Sequence, residues 1–192
     1  MNRQQALSIL NEYVKKESLI NHMLSVESAM RYYARKLGED EGFWGITGLL
    51  HDFDYEIHPT LEHHPQGGAA ILRTHNVPEA IIMNILSHAD HTGVPRDSLI
   101  RKYLFACDEI TGLITACVLV RPSKSIHDLK VSSVKKKWKD KRFAAGANRD
   151  EMIRGAEGIG IDIWEHTANV IFAMREIASQ ISLDGSLVEK GD

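Results

Sequence analysis

Apolar residues in this chain recur at spacings of three and four almost from end to end, and the alternation of a half-buried strand is nearly absent. That period admits helices packed on helices and argues against a sheet. Ala6, Leu7, Leu10, Tyr13 and Val14 mark the inner face of a first helix. A second is expected over 19–37, with Val26, Ala29, Met30, Tyr33 and Leu37 inward and Gly38 as its stop. A third is expected over 40–50. Pro65 and Pro78 each precede an apolar-periodic run, in the first-turn place where proline is tolerated. A long apolar helix is expected over 98–120, ending before Pro122. Asn148 with Glu151, and Asp162 with Glu165, have capping-box spacing. The last helix is expected to bury Trp164, Ala168, Ile171, Phe172, Ala178 and Ile181. The pattern specifies an all-α domain over 1–182, with a basic appendage within it at 122–148 and a flexible tail over 183–192.

Composition narrows the function classes. A hydrophobic share of 43% over 192 residues is enough to fill a core. Two cysteines, Cys107 and Cys117, exclude a disulfide framework and a cysteine-rich zinc site. The longest greasy stretch, 110–120, is interrupted by Thr111, Gly112 and Thr115. It falls well short of the roughly 20 residues of a membrane span. With no signal-peptide pattern at the N-terminus, the expected compartment is cytoplasmic, with no membrane partner. The formal charge of −3 argues against a globally cationic binder of long nucleic acid.

Ten histidines stand out against this background. His22 shares a stripe with Val26, Ala29 and Tyr33. His51-Asp52 ends the apolar run 46–50, and His88 closes the helix that holds Ile81, Ile82 and Ile85. Asp108 lies among Leu104, Cys107 and Thr111 in the most apolar helix, where a carboxylate is costly unless a cation or donor meets it. Each residue taken alone reads as a satisfied core side chain, a helix cap or a chance dipeptide. Together they offer imidazoles and carboxylates suited to Fe, Mn, Ni, Co or Zn rather than Ca.

In order and context, His22, His51-Asp52 and Asp108 resemble the motif of the HD-domain superfamily of metal-dependent phosphohydrolases. The apolar approach Leu49-Leu50 matches as well, whereas Phe53-Asp54 stands where many relatives carry Ile-Gly. Further stretches, among them LLHDFDYE, HHPQGGAAIL and SHADHTGVPR, are similar to a group of small bacterial HD proteins of unassigned substrate. The resemblance implies a single HD-domain-like helical bundle of about seven or more helices. It also implies one or two divalent transition-metal ions and hydrolysis of a phosphate ester, on a nucleotide or similar small phosphorylated substrate, by a metal-activated hydroxide. The alternative is a non-catalytic metal- or nucleotide-binding module or sensor built on the same site.

Families of this kind with two metals add histidines between the doublet and the last aspartate. His64 and His88 resemble those additions, and His91 joins His88 on one side if helix continues past it. Asp52 then bridges two metals and orients the hydroxide. His22, His51 and Asp108 complete one site, and His64 and His88 the other. Asp54, Glu56 and Asp90 are candidate leaving-group acids, with solvated loop positions the favoured expectation for Asp54 and Glu56. From 121 to 142 nine basic residues face only Asp128 and Asp140. Lys135, Lys136, Lys137 and Arg142 are candidate substrate-phosphate contacts, with Trp138 as a stacking face; a solvated basic surface is the competing reading.

Overall fold

The computed structural model describes residues 1–188. Nine α-helices occur among them, and no sheet. They are α1 (Arg3–Tyr13), α2 (Glu17–Leu37), α3 (Glu41–Leu50), α4 (Gln66–Thr74), α5 (Glu79–Leu86), α6 (Leu99–Leu119), α7 (Val131–Trp138), α8 (Arg149–Gly158) and α9 (Ile163–Arg175). The chain divides into two compact units, Met1–Phe105 and Ala106–Asp192. The division falls inside α6, a continuous apolar helix with no proline or glycine pair at that point, so no composition change marks it.

In the first unit, local chemistry sets the helix ends. Asn2 and Gln5 form a reciprocal capping box at α1 that sequence reading missed. Gly38 terminates α2 in the left-handed region at φ 73°, as expected. Asp40 caps α3 through the Phe43 N–H at 2.9 Å. Pro65 and Pro78 stand at the N-cap positions of α4 and α5, one residue earlier than expected. The core joins Leu10, Met23, Leu49, Leu50, Phe53, Leu72, Ile82 and Ile85. Glu27 is buried between Arg3 and Arg31, whose Nε atoms lie 2.6 and 2.8 Å from Oε1, so its charge is matched on both sides. Gly48 lets α2 and α3 approach closely, since a Cβ there would stand 3.0 Å from Met30 Cγ and 3.1 Å from the Val26 carbonyl. That approach brings His22 on α2 to the C-terminal end of α3.

In the second unit Val134, Met152, Val170, Ile171 and Met174 are buried. Asn148 and Asp162 cap α8 and α9 as their spacing implied. The inward face of α9 differs from expectation. Phe172 is 54% exposed, Ala168 is exposed and Trp164 is half-buried, whereas His166, Thr167, Val170 and Met174 face inward. The neighbouring stripes have similar apolar content, and polar partners choose between them. His166 Nε2 donates to the Ala106 carbonyl at 2.8 Å, and Thr167 bonds back to Ile163. Trp164 instead packs edge-on against Trp138 and lies beneath the Lys135 ammonium. Ala178 and Ile181 are buried as expected, beyond the end of α9. At the expected tail, Leu183 is buried and accepts from Ile126 N–H at 2.7 Å, and Asp184 bridges Ser125. The rest of that tail, 189–192, lies outside the described residues.

Burial pushes the His166 imidazole down to about 4, against a weaker upward pull from the Ala106 carbonyl. Between the ordinary value near 6.5 and that lowered value, the unfolded chain binds a proton that the folded chain refuses. Stability from this residue is therefore fully present above pH 6.5 and falls as pH drops toward 4. The expected loss by pH 4 is about 3 kcal/mol. Denaturant unfolding at pH 7 and 4.5 checks it: His166→Gln should flatten the decline, and an unchanged pH slope in that variant would refute the assignment.

Candidate metal centre

The cluster is assembled at helix C-termini of the first unit. The last carbonyls of a helix have no intrahelical donor. His51, the C-cap of α3, turns Nδ1 back to the Gly48 carbonyl at 2.8 Å. His88, two residues past α5, does the same to the Ile85 carbonyl at 2.6 Å. A carbonyl only accepts, so in both rings Nδ1 carries the hydrogen and, in the neutral form, Nε2 is the acceptor and ligand nitrogen. His64, just before α4, directs Nδ1 to Asp54 Oδ1 at 2.9 Å.

The Nε2 atoms converge on Asp52. Its Oδ1 lies 3.2 Å from His64, 3.4 Å from His88 and 3.6 Å from His51. His22 Nε2 is 3.8 Å from Oδ2. The His22 and His51 Nε2 atoms are 3.2 Å apart, as are those of His64 and His88. Two imidazole nitrogens bound to one metal at about 2.0–2.1 Å stand about 2.8–3.4 Å apart, the short end in octahedral and the long end in tetrahedral coordination. Both pairs fit that separation. Asp52, His64 and His88 each offer a ligand atom, and these lie within 4.8 Å of one another; His22, His51 and Asp52 do likewise.

Asp52 Oδ1 supplies the decisive test of fit. It is buried and has no hydrogen bond among the described residues, although three imidazole nitrogens stand 3.2 to 3.6 Å from it. Imidazole lone pairs turned toward a carboxylate oxygen repel it unless a proton or cation lies between them. Burial pushes the Asp52 carboxyl up, but the imidazoles of His51, His64 and His88 overcome this and hold it well below the usual carboxylate range. His64 shows the complementary shift. Burial lowers it, while Asp52 and then Asp54 raise it, to about 10 overall. The imidazolium–carboxylate pair is a protonated version of the charge pattern that a divalent metal requires.

A family model for the HD domain matches residues 19–113, a span that holds His22, His51, Asp52, His64, His88 and Asp108. The chain belongs to the HD-domain superfamily. HD-domain proteins are mostly metal-dependent phosphohydrolases, and they bind divalent metals. No curated protein and no solved structure matches the chain.

Within this HD domain the structure brings together His22, His51, Asp52, His64 and His88. Asp108 lies on α6, half-buried, beyond the unit boundary. His91 does not extend α5, which ends at Leu86. It sits in a short 3-10 turn (Asp90–Thr92), exposed, with Nε2 at 2.9 Å from the His64 carbonyl. Glu56 accepts from the Lys15 and Lys16 N–H groups at 2.9 and 3.0 Å; these hold its carboxyl below the usual range, which disfavours it as a proton donor. Asp90 pairs with Arg96 at 2.6 Å. Asp54, expected in a solvated loop, is buried. The sequence signal that could have found it is the large apolar Phe53 beside it, which is fully buried and edge-on to Tyr13. Lys135, Lys136, Lys137 and Arg142 are exposed in the second unit, with Lys135 over the Trp164 ring and Lys137 over Phe143. Among the described residues, no helix is long and apolar enough to cross a membrane.

Proposed function

We propose that this protein is a metal-dependent phosphohydrolase that cleaves a phosphate ester of a nucleotide or similar small molecule. Its centre would hold two divalent transition-metal ions, with Asp52 a ligand available to both. The observation that supports this most is the buried, unbonded Asp52 Oδ1 amid converging Nε2 atoms. His22, His51 and Asp52, with Asp108 from α6, would hold one ion; Asp52, His64 and His88 would hold the other. Fe, Mn, Ni, Co and Zn all suit these ligands. Ions bound there lower the pKa of water to near 7 and neutralise charge on phosphoryl oxygens. The chain's own contribution is orientation. Gly48 and Ile85 carbonyls fix two imidazoles before any ion arrives, which limits the ordering cost of binding. Exposed Lys135, Lys136, Lys137 and Arg142 are proposed substrate-phosphate contacts, supported by their charge and accessibility.

Metal content tests the centre. Protein purified without chelator and without air is expected to carry two equivalents per chain by elemental analysis, falling to one or less in His64→Ala and in His88→Ala. One equivalent in wild type, unaffected by those changes, would refute the two-metal centre and leave a mononuclear site. No metal after reconstitution would refute the ligand assignment as a whole.

A further inference from the structure

We infer that Asp54 is a positioning residue for the second metal site, and that Gly68 exists in this chain to admit it. This rests on the two-metal reading. Asp54 is 1% exposed, and both its oxygens are committed. Oδ1 accepts from His64 Nδ1 at 2.9 Å and Oδ2 from the Gly68 N–H at 3.0 Å. The first bond keeps the hydrogen on Nδ1 and aims Nε2 toward Asp52 Oδ1. The second satisfies an orphan donor in the first turn of α4, where Pro65 at the N-cap makes no side-chain bond. One carboxylate therefore ties the orientation of a ligand to the start of the next helix.

Gly68 is required for this arrangement. A Cβ there would stand 2.5 Å from Asp54 Cγ and 2.7 Å from Oδ2, closer than any real Cβ contact. Phe53 completes it: fully buried against Tyr13, it anchors the turn from which Asp54 points inward. The Phe53-Asp54 pair, which departs from the Ile-Gly of many relatives, thus has a physical role. The charge lies on the far side of the imidazole from the metal, where it raises ligand basicity. His51 and His88 turn the same nitrogen to backbone carbonyls, which are neutral, whereas His64 turns it to a carboxylate.

Asp54→Asn keeps the shape but cannot keep both bonds, since an amide offers one acceptor where two donors arrive. Gly68→Ala disturbs the same carboxylate by a different atom. Metal-free wild type and both variants are titrated with Mn(II) by calorimetry, with thermal unfolding of the metal-free proteins as the fold control. The expected result is an unchanged first equivalent and a second weakened about 10- to 100-fold in both variants. Two equivalents at wild-type affinity in both variants would overturn the positioning role. Equal weakening of both equivalents would overturn it too, because a general packing role predicts that. A single equivalent in wild type would overturn the two-metal reading and this inference with it, an outcome visible before any variant is made.

Discussion

Asp52→Ala is expected to lower phosphate-ester hydrolysis by at least about 10³-fold, equivalent to about 4 kcal/mol of barrier. The expected size follows from its place. Its carboxylate is the group on which His51, His64 and His88 converge, and under the two-metal reading it is the only anion common to both ions. Its loss removes the shared charge and separates the two half-sites. The fold should survive, because Asp52 Oδ1 makes no hydrogen bond among the described residues and His64 keeps its carboxylate partner Asp54 when Asp52 is removed. The assay is product release from a panel of nucleotides and phosphodiesters with Mn and Fe, beside a thermal melt of metal-free protein. Turnover retained in metal-free Asp52→Ala protein would refute the mechanism. Absence of turnover in wild type across the panel, with metal-dependent stabilisation intact, would favour the non-catalytic binding module.

Metal removal is expected to produce the second large effect. A ligand present at about 1,000 times its Kd, and bound only by the folded chain, adds about 4 kcal/mol. For a chain of this length that corresponds to a Tm shift of about 8–16 °C per site. The linkage is strong here because the metal-free cluster gathers three imidazole nitrogens around one carboxylate oxygen that has no hydrogen bond among the described residues, a charge pattern that a cation completes. Differential scanning calorimetry before and after chelation reads the shift, and Asp52→Ala should abolish it. An unchanged Tm on adding Mn, Fe or Zn to chelated wild type would show that the cluster is a hydrogen-bonded core feature.

Much of the centre was legible without coordinates. His51 and His88 were placed at helix ends because the apolar period stops there, and a helix end is where unpaired carbonyls wait for a donor. His22 was nominated by its place on an apolar stripe, and His64 by its resemblance to the added histidines of two-metal HD families. Asp54 was less legible: an acidic residue in a non-helical segment reads as solvated, and only the fold returns α4 over it. His91 was misplaced relative to His88 because nothing local shows that the chain leaves the helix at Ser87, where Arg96 pins the Ser87 and His88 carbonyls. On α9 two stripes of similar hydrophobicity competed, and the carbonyl of Ala106 chose the one with His166.

By itself the sequence determined the helices, most of their ends and the residue types gathered at the site, because periodicity, caps and glycine stops act within a few residues along the chain. Only the tertiary structure decided which carboxylate orients His64, and so which of its ring nitrogens faces Asp52, and which face of α9 turns inward. Those choices depend on hydrogen-bond partners 10 to 60 residues away, such as His64 with Asp54 and His166 with Ala106. Local pattern carries no record of such distant pairings.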